Sequence, residues 1–181
     1  MPRGGDRLDP RCCEFRLVTT PGGGFRLESA RGVGYAIGPP DDGLRTVEGG
    51  GRLWVLRTSP SHSGFVLESA SEPGREVART VRDPTVGVGI FLEDGRCFWI
   101  VPRVDVQRRY ELRGWEVDGA YWVAEPRGED WCLSPTPAGA FLQPDEIVLL
   151  FAAEIVAARG DSATKPGLAR GRTESGMNHG T

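Results

Sequence analysis

Few side chains in this sequence are of the types that make or break covalent bonds, and their spacing does not favour it. The two histidines are His62, in a Ser/Pro-rich turn sequence, and His179, near the C-terminus. A relay in which an imidazole takes a proton from serine or cysteine therefore has little to draw on. Cys12, Cys13, Cys97 and Cys132 show no C-x-x-C spacing, and no D-x-D-x-D-G loop occurs, so neither zinc nor an EF-hand is expected. The cysteines read as free thiols, because a disulfide framework belongs to shorter secreted chains. Gly32 to Gly38 lacks the spacing of a dinucleotide fingerprint and runs into Pro39-Pro40. The acidic pairs Asp41-Asp42, Glu93-Asp94 and Glu129-Asp130 fall in turn sequence, where solvated carboxylates are ordinary. No catalytic residue, metal or cofactor is predicted, and a binding protein is expected in place of an enzyme.

Two features remain. Arg103, Arg108, Arg109 and Arg113 form the densest cationic stretch, and guanidinium groups receive phosphate or carboxylate oxygens in bidentate fashion. Strand alternation puts Arg109 and Arg113 on one face and Arg108 on the other, with Asp105 and Glu111 diluting the field. Glu154 is the second feature, a single acid in an otherwise apolar run. A buried carboxylate there must pair with an arginine, reach a mouth of the fold, or take up a proton.

The elements that position these residues follow from composition and pattern. The chain has 181 residues, 22 basic against 25 acidic, with 26 Gly and 14 Pro. All the basic residues but Lys165 are arginine. A net charge of −3 is not the footprint of a nucleic-acid-binding domain. No apolar run is long enough to cross a bilayer and the N-terminus is polar, so a cytoplasmic, non-transmembrane protein is expected. Residues 1–13 and 160–181 carry almost no large apolar side chains and are expected to be flexible, leaving one domain over residues 14–159.

Within that domain, twelve short alternating segments rich in Val, Ile, Phe, Tyr and Trp are separated by Gly, Pro, Asp and Ser clusters. Bulky residues recur at hairpin spacing, as with Phe15 and Phe25, and turns such as Pro21-Gly22-Gly23-Gly24 and Glu93-Asp94-Gly95 have the right chemistry. The five tryptophans, Trp54, Trp99, Trp115, Trp122 and Trp131, read as core. The last segment differs: Pro144-Asp145-Glu146 is followed by a run to Arg159 that is apolar on every face but one. Proline and acids suit a helix start, and Gly160 suits its end, although Ile147 to Phe151 alone reads equally as a strand. A helix apolar all round belongs inside a protein.

Hairpin units such as 25–37 and 110–123, with the ending 143–156, resemble the tubby-like barrel of tubby proteins, phospholipid scramblases and LURP-one-related proteins. The resemblance covers residues 14–159 and implies a mainly β, twelve-stranded antiparallel closed barrel threaded by the terminal helix. It also implies a non-enzymatic domain that binds anionic membrane lipid head groups or a protein partner. The lysines with which tubby proteins read phosphoinositides, and the cysteine-rich and Ca²⁺-binding segments of scramblases, have no counterpart here. The alternative is a β-trefoil, as in lectins and small protease inhibitors, with Phe25, Phe65 and Tyr110 opening three repeats. It requires residues 145–156 to form a strand, so the conformation of that segment decides between the two.

Overall fold

The computed structural model describes residues 14–30, 32–59, 61, 63–85, 87–103, 109–115, 119–139 and 145–163. Twelve strands precede one helix: β1 (Phe15–Thr19), β2 (Phe25–Ser29), β3 (Gly32–Ile37), β4 (Leu44–Gly49), β5 (Arg52–Ser59), β6 (Gly64–Ser69), β7 (Glu76–Asp83), β8 (Gly87–Leu92), β9 (Cys97–Arg103), β10 (Arg109–Gly114), β11 (Ala120–Arg127), β12 (Asp130–Pro135) and α1 (Asp145–Ala163). Each strand pairs antiparallel with its sequence neighbours, and β1 pairs with β12 through Phe15↔Leu133 and Leu17↔Trp131 to close the barrel. Closure removes the edge strands that an open sheet would expose.

Alternation sorts the side chains. Leu17, Leu27, Ile37, Val47, Trp54, Leu56, Leu67, Ala78, Ile90, Ile100, Leu112, Trp122 and Leu133 are buried in one cluster with the helix. Nine successive helical residues, Ile147 to Ile155, are almost fully buried. Nine residues span more than two turns, so every face of the helix is covered by protein. This is why the segment carries no polar stripe: α1 runs inside the barrel. A helix at 145–163 removes the closing strand that a β-trefoil needs, and the trefoil alternative is not supported.

The helix continues past Gly160 to Ala163, where the sequence predicts a stop. Glycine costs a helix only about 1 kcal/mol relative to alanine, so it ends one only where a competing conformation, such as a left-handed cap, is favoured over continuing. The flexible ends expected at 1–13 and in most of 160–181 lie outside the described residues.

At its start α1 is pinned to the rim. The Tyr35 hydroxyl donates a short hydrogen bond to Asp145 Oδ1, and Arg52 Nη1 lies 3.4 Å from Glu146 Oε1. The two acids also complement the positive end of the helix dipole. Burial, followed by the hydrogen bond to Asp145 and its charge, pushes the Tyr35 phenol far above its ordinary value. A phenol raised in the folded state contributes stability below its unfolded value, near pH 10, that is lost as pH rises further. Wild-type protein is therefore expected to lose stability between about pH 10 and 11 more steeply than Tyr35→Phe. Urea unfolding across that window reads the difference, and parallel curves would remove the phenol from the account.

Candidate functional site

Arg103 on β9 and Arg109, Glu111 and Arg113 on β10 alternate with the inward residues Ile100, Tyr110 and Leu112, so they lie on the outer wall. Register pairs Arg109 with Arg103 and Glu111 with Val101. The three arginines converge on one carboxylate. Arg113 donates to Glu111 Oε2 from Nε at 3.0 Å and Nη2 at 2.6 Å, Arg103 Nη1 stands 3.7 Å from the same oxygen, and Arg109 Nε is 3.4 Å from Oε1. Arg109 also reaches Glu125 on β11, 3.3 Å from Nη1.

Among the described residues, three guanidinium groups thus face two carboxylates. Glu111 is itself buried, at 6% exposure, because the arginines cover it. Arg109 Nε is buried without hydrogen-bond geometry to any partner, despite its ion-pair distance to Glu111. A buried donor left unmade costs about 1–3 kcal/mol, and an incoming oxygen acceptor would recover part of it. The carboxylate acts as a hub that gathers the arginines.

Between Leu112 and Arg113 the register of β10 and β11 shifts, and Gly114 follows, where a Cβ would stand 2.5 Å from the Tyr121 ring. The strand ends there, and the next residue, Trp115, projects into solvent with 71% exposure. It meets Trp99 edge to face, with ring centroids 5.7 Å apart, and Trp99 meets Phe91 in the same manner at 6.2 Å. Arg79 lies over the Phe91 ring at 5.9 Å. The core expectation is therefore correct for Trp54, Trp122 and Trp131 and wrong for Trp115, which is turned out where β10 breaks off, while Trp99 lies half-buried on the outer wall. An aromatic patch adjoins the arginine cluster along one face.

Of the predicted cationic residues, Arg103, Arg109 and Arg113 come together, and Arg108 lies outside the described residues. Arg109 and Arg113 share a face as alternation requires. Sequence reasoning treated Glu111 as a diluting charge and missed that it organises the group. Its odd-numbered place between Arg109 and Arg113 is the signal that was available.

Glu154 lies elsewhere, inside the barrel. Its Oε1 accepts from Thr80 Oγ1 at 2.5 Å, and its Oε2 accepts from Arg82 Nε at 3.1 Å and Nη2 at 3.0 Å. Thr80 Oγ1 in turn accepts the Phe65 N–H at 2.8 Å. Of the three outcomes open to this acid, pairing with an arginine is the one found here. Thr80 and Arg82 were missed, although both sit at inward-alternating positions of β7, two and four residues after Ala78.

The mouth of the barrel where α1 begins holds a cavity of about 740 Å³ with Arg52, Arg75 and Arg96 on its wall. Each of these arginines is engaged by an acid: Arg52 by Glu146, Arg75 by Glu72 and Glu93, Arg96 by Asp94. The Asp94 carboxyl is held below its ordinary value, first by the Arg96 backbone N–H that it accepts. With four acids lining it, this mouth has the wrong balance for an anion.

Cys132 is disulfide-bonded, which corrects the free-thiol reading at that position, and its partner lies outside the described residues. Cys97 is free. Disulfides persist where conditions are oxidising. Among the described residues no group of three or more His, Cys, Asp or Glu is placed to hold a metal ion. Among the described residues no helix is long and apolar enough to cross a membrane.

No family model, curated protein or solved structure matches the chain. The closed barrel around a helix is the architecture that the tubby-like resemblance implies. Shape by itself identifies no superfamily, and function rests on the site alone.

Proposed function

We propose that this chain is a non-enzymatic binding domain whose ligand is the anionic head group of a membrane phospholipid, held on the outer wall of β9 to β11. One observation carries the reading: Arg103, Arg109 and Arg113 are gathered around Glu111 beside the exposed Trp115. Guanidinium groups supply paired donors for phosphate oxygens, and an exposed indole sits favourably at the boundary between head groups and acyl chains. Arg109 through Trp115 spans about 20 Å of extended chain, so both parts can meet one flat surface together. The net charge of −3 makes the attraction local, confined to this face and screened by salt.

Sedimentation with vesicles at low salt tests the reading. Vesicles of phosphatidylserine and phosphatidylcholine are expected to retain wild-type protein, and vesicles of phosphatidylcholine alone are not. Replacing Arg109 and Arg113 together by serine is expected to weaken retention by roughly tenfold, as two charge-assisted contacts are lost. Equal retention of the double variant would overturn the assignment of this face. A protein partner with an acidic surface is the competing outcome, indicated by wild-type protein that ignores both vesicle types.

A further inference from the structure

The barrel interior is not completely filled by α1. Toward the far end of the helix a cavity of about 250 Å³ lies between Ile155 and Ala158 on one side and Val88, Ile100, Pro102 and Tyr110 on the other. It reaches solvent at the rim, where Pro102 is exposed and the Arg82 side chain is 35% exposed. A dry cavity of about 150 Å³ suffices to bind one benzene, so this one has room for a two-ring compound or a chain of medium length. Mostly apolar pockets with a few placed polar groups are the usual form of small-molecule sites, and barrel mouths are a common location.

The charges on its wall cancel. Glu154 and Arg82 both line the cavity, and the Glu154 carboxylate already accepts three hydrogen bonds, from Thr80 Oγ1 and from two nitrogens of Arg82. A charged ligand would enter without a counter-charge, and desolvating it there is costly. Tyr110 is different: its ring leans on Trp131, with centroids 5.4 Å apart, and its hydroxyl makes no hydrogen bond to any described residue. A phenol both donates and accepts.

We propose that this cavity is a second binding site, for an uncharged, mainly apolar small molecule carrying one hydroxyl or carbonyl group that hydrogen-bonds Tyr110. It is separate from the arginine face: Tyr110 and Ile100 point into the barrel, whereas Arg109 and Glu111 stand on its outer wall. The ligand's apolar part lies against Val88, Ile100 and Ile155, whose contact replaces water at the cavity wall.

Titration of the full chain with 1-octanol, followed by methyl NMR, tests the site. Saturable shifts are expected at Val88, Ile100 and Ile155, with octanoate binding roughly tenfold more weakly because its charge must be desolvated. Tyr110→Phe keeps the ring and removes the hydroxyl, and is expected to weaken 1-octanol by roughly three- to tenfold. Ala158→Phe, which fills the cavity, is expected to abolish the shifts. Octanoate binding as well as 1-octanol, shifts spread over the molecule, or a Tyr110→Phe affinity equal to wild type would each overturn the proposal. Tyr110→Phe decides the matter even if Ala158→Phe fails to fold.

Discussion

Glu154→Leu is expected to destabilise the protein by about 3 kcal/mol, the lower end of the range for breaking a buried ion pair. The carboxylate is 5% exposed and satisfies two β7 side chains, so its removal leaves Thr80 Oγ1 without its acceptor and takes from Arg82 the carboxylate that two of its nitrogens bond. The value falls at the low end because the Arg82 side chain, at 35% exposure, can still turn toward water. Replacing both partners, Glu154→Leu with Arg82→Met, is expected to return to within about 1 kcal/mol of wild type, since no uncompensated charge is then left. A double-mutant cycle in urea measures the coupling directly. If the single variant were as stable as wild type, the pair would be a tolerated burial and not a fastening of the helix to β7.

That fastening shows how far the sequence can be read. Strand existence was fully legible, because period-two alternation and turn chemistry are local: each segment, such as 52–58 or 120–125, contains its own evidence. The helix was legible for a related reason. Ile147 to Ile155 has no polar stripe, and only enclosure by the rest of the chain explains that at this length. Alternation also placed Arg109 and Arg113 on one face. The partners of Glu154 were not legible, since Thr80 and Arg82 lie 74 and 72 residues away and are brought to it by the path of the helix through the barrel. Trp115 eluded the sequence because its direction depends on a register shift and on the end of β10, which composition does not encode. The role of Glu111 was hidden similarly: Arg109 and Arg113 are neighbours by alternation, but Arg103 joins them only through the β9–β10 register.

Gly64→Ala is expected to cost about 3 kcal/mol or more, the upper range for forcing extra volume into a packed interior. Gly64 opens β6, and a Cβ there would stand 2.3 Å from the Thr80 carbonyl oxygen and 2.6 Å from Thr80 Oγ1. The obstacle is backbone, so no rotamer change relieves it. Nor can β7 draw back freely, because Thr80 Oγ1 is held from both sides by the Phe65 N–H and by Glu154 on α1. The same substitution that forces β6 and β7 apart therefore also disturbs the contact of β7 with the helix. Gly128→Ala provides the comparison: its φ of 63° disfavours a side chain, yet nothing lies within 4 Å of the added carbon. It is expected to cost only about 1 kcal/mol, the penalty of the left-handed conformation. Combining Gly64→Ala with Glu154→Leu then separates the two effects. If β7 is clamped between β6 and α1, releasing it from the helix lets it yield, and the double variant loses less than the two single losses added together. Strict additivity would mean that the β6–β7 contact and the helix contact are independent, and that Thr80 does not transmit strain between them.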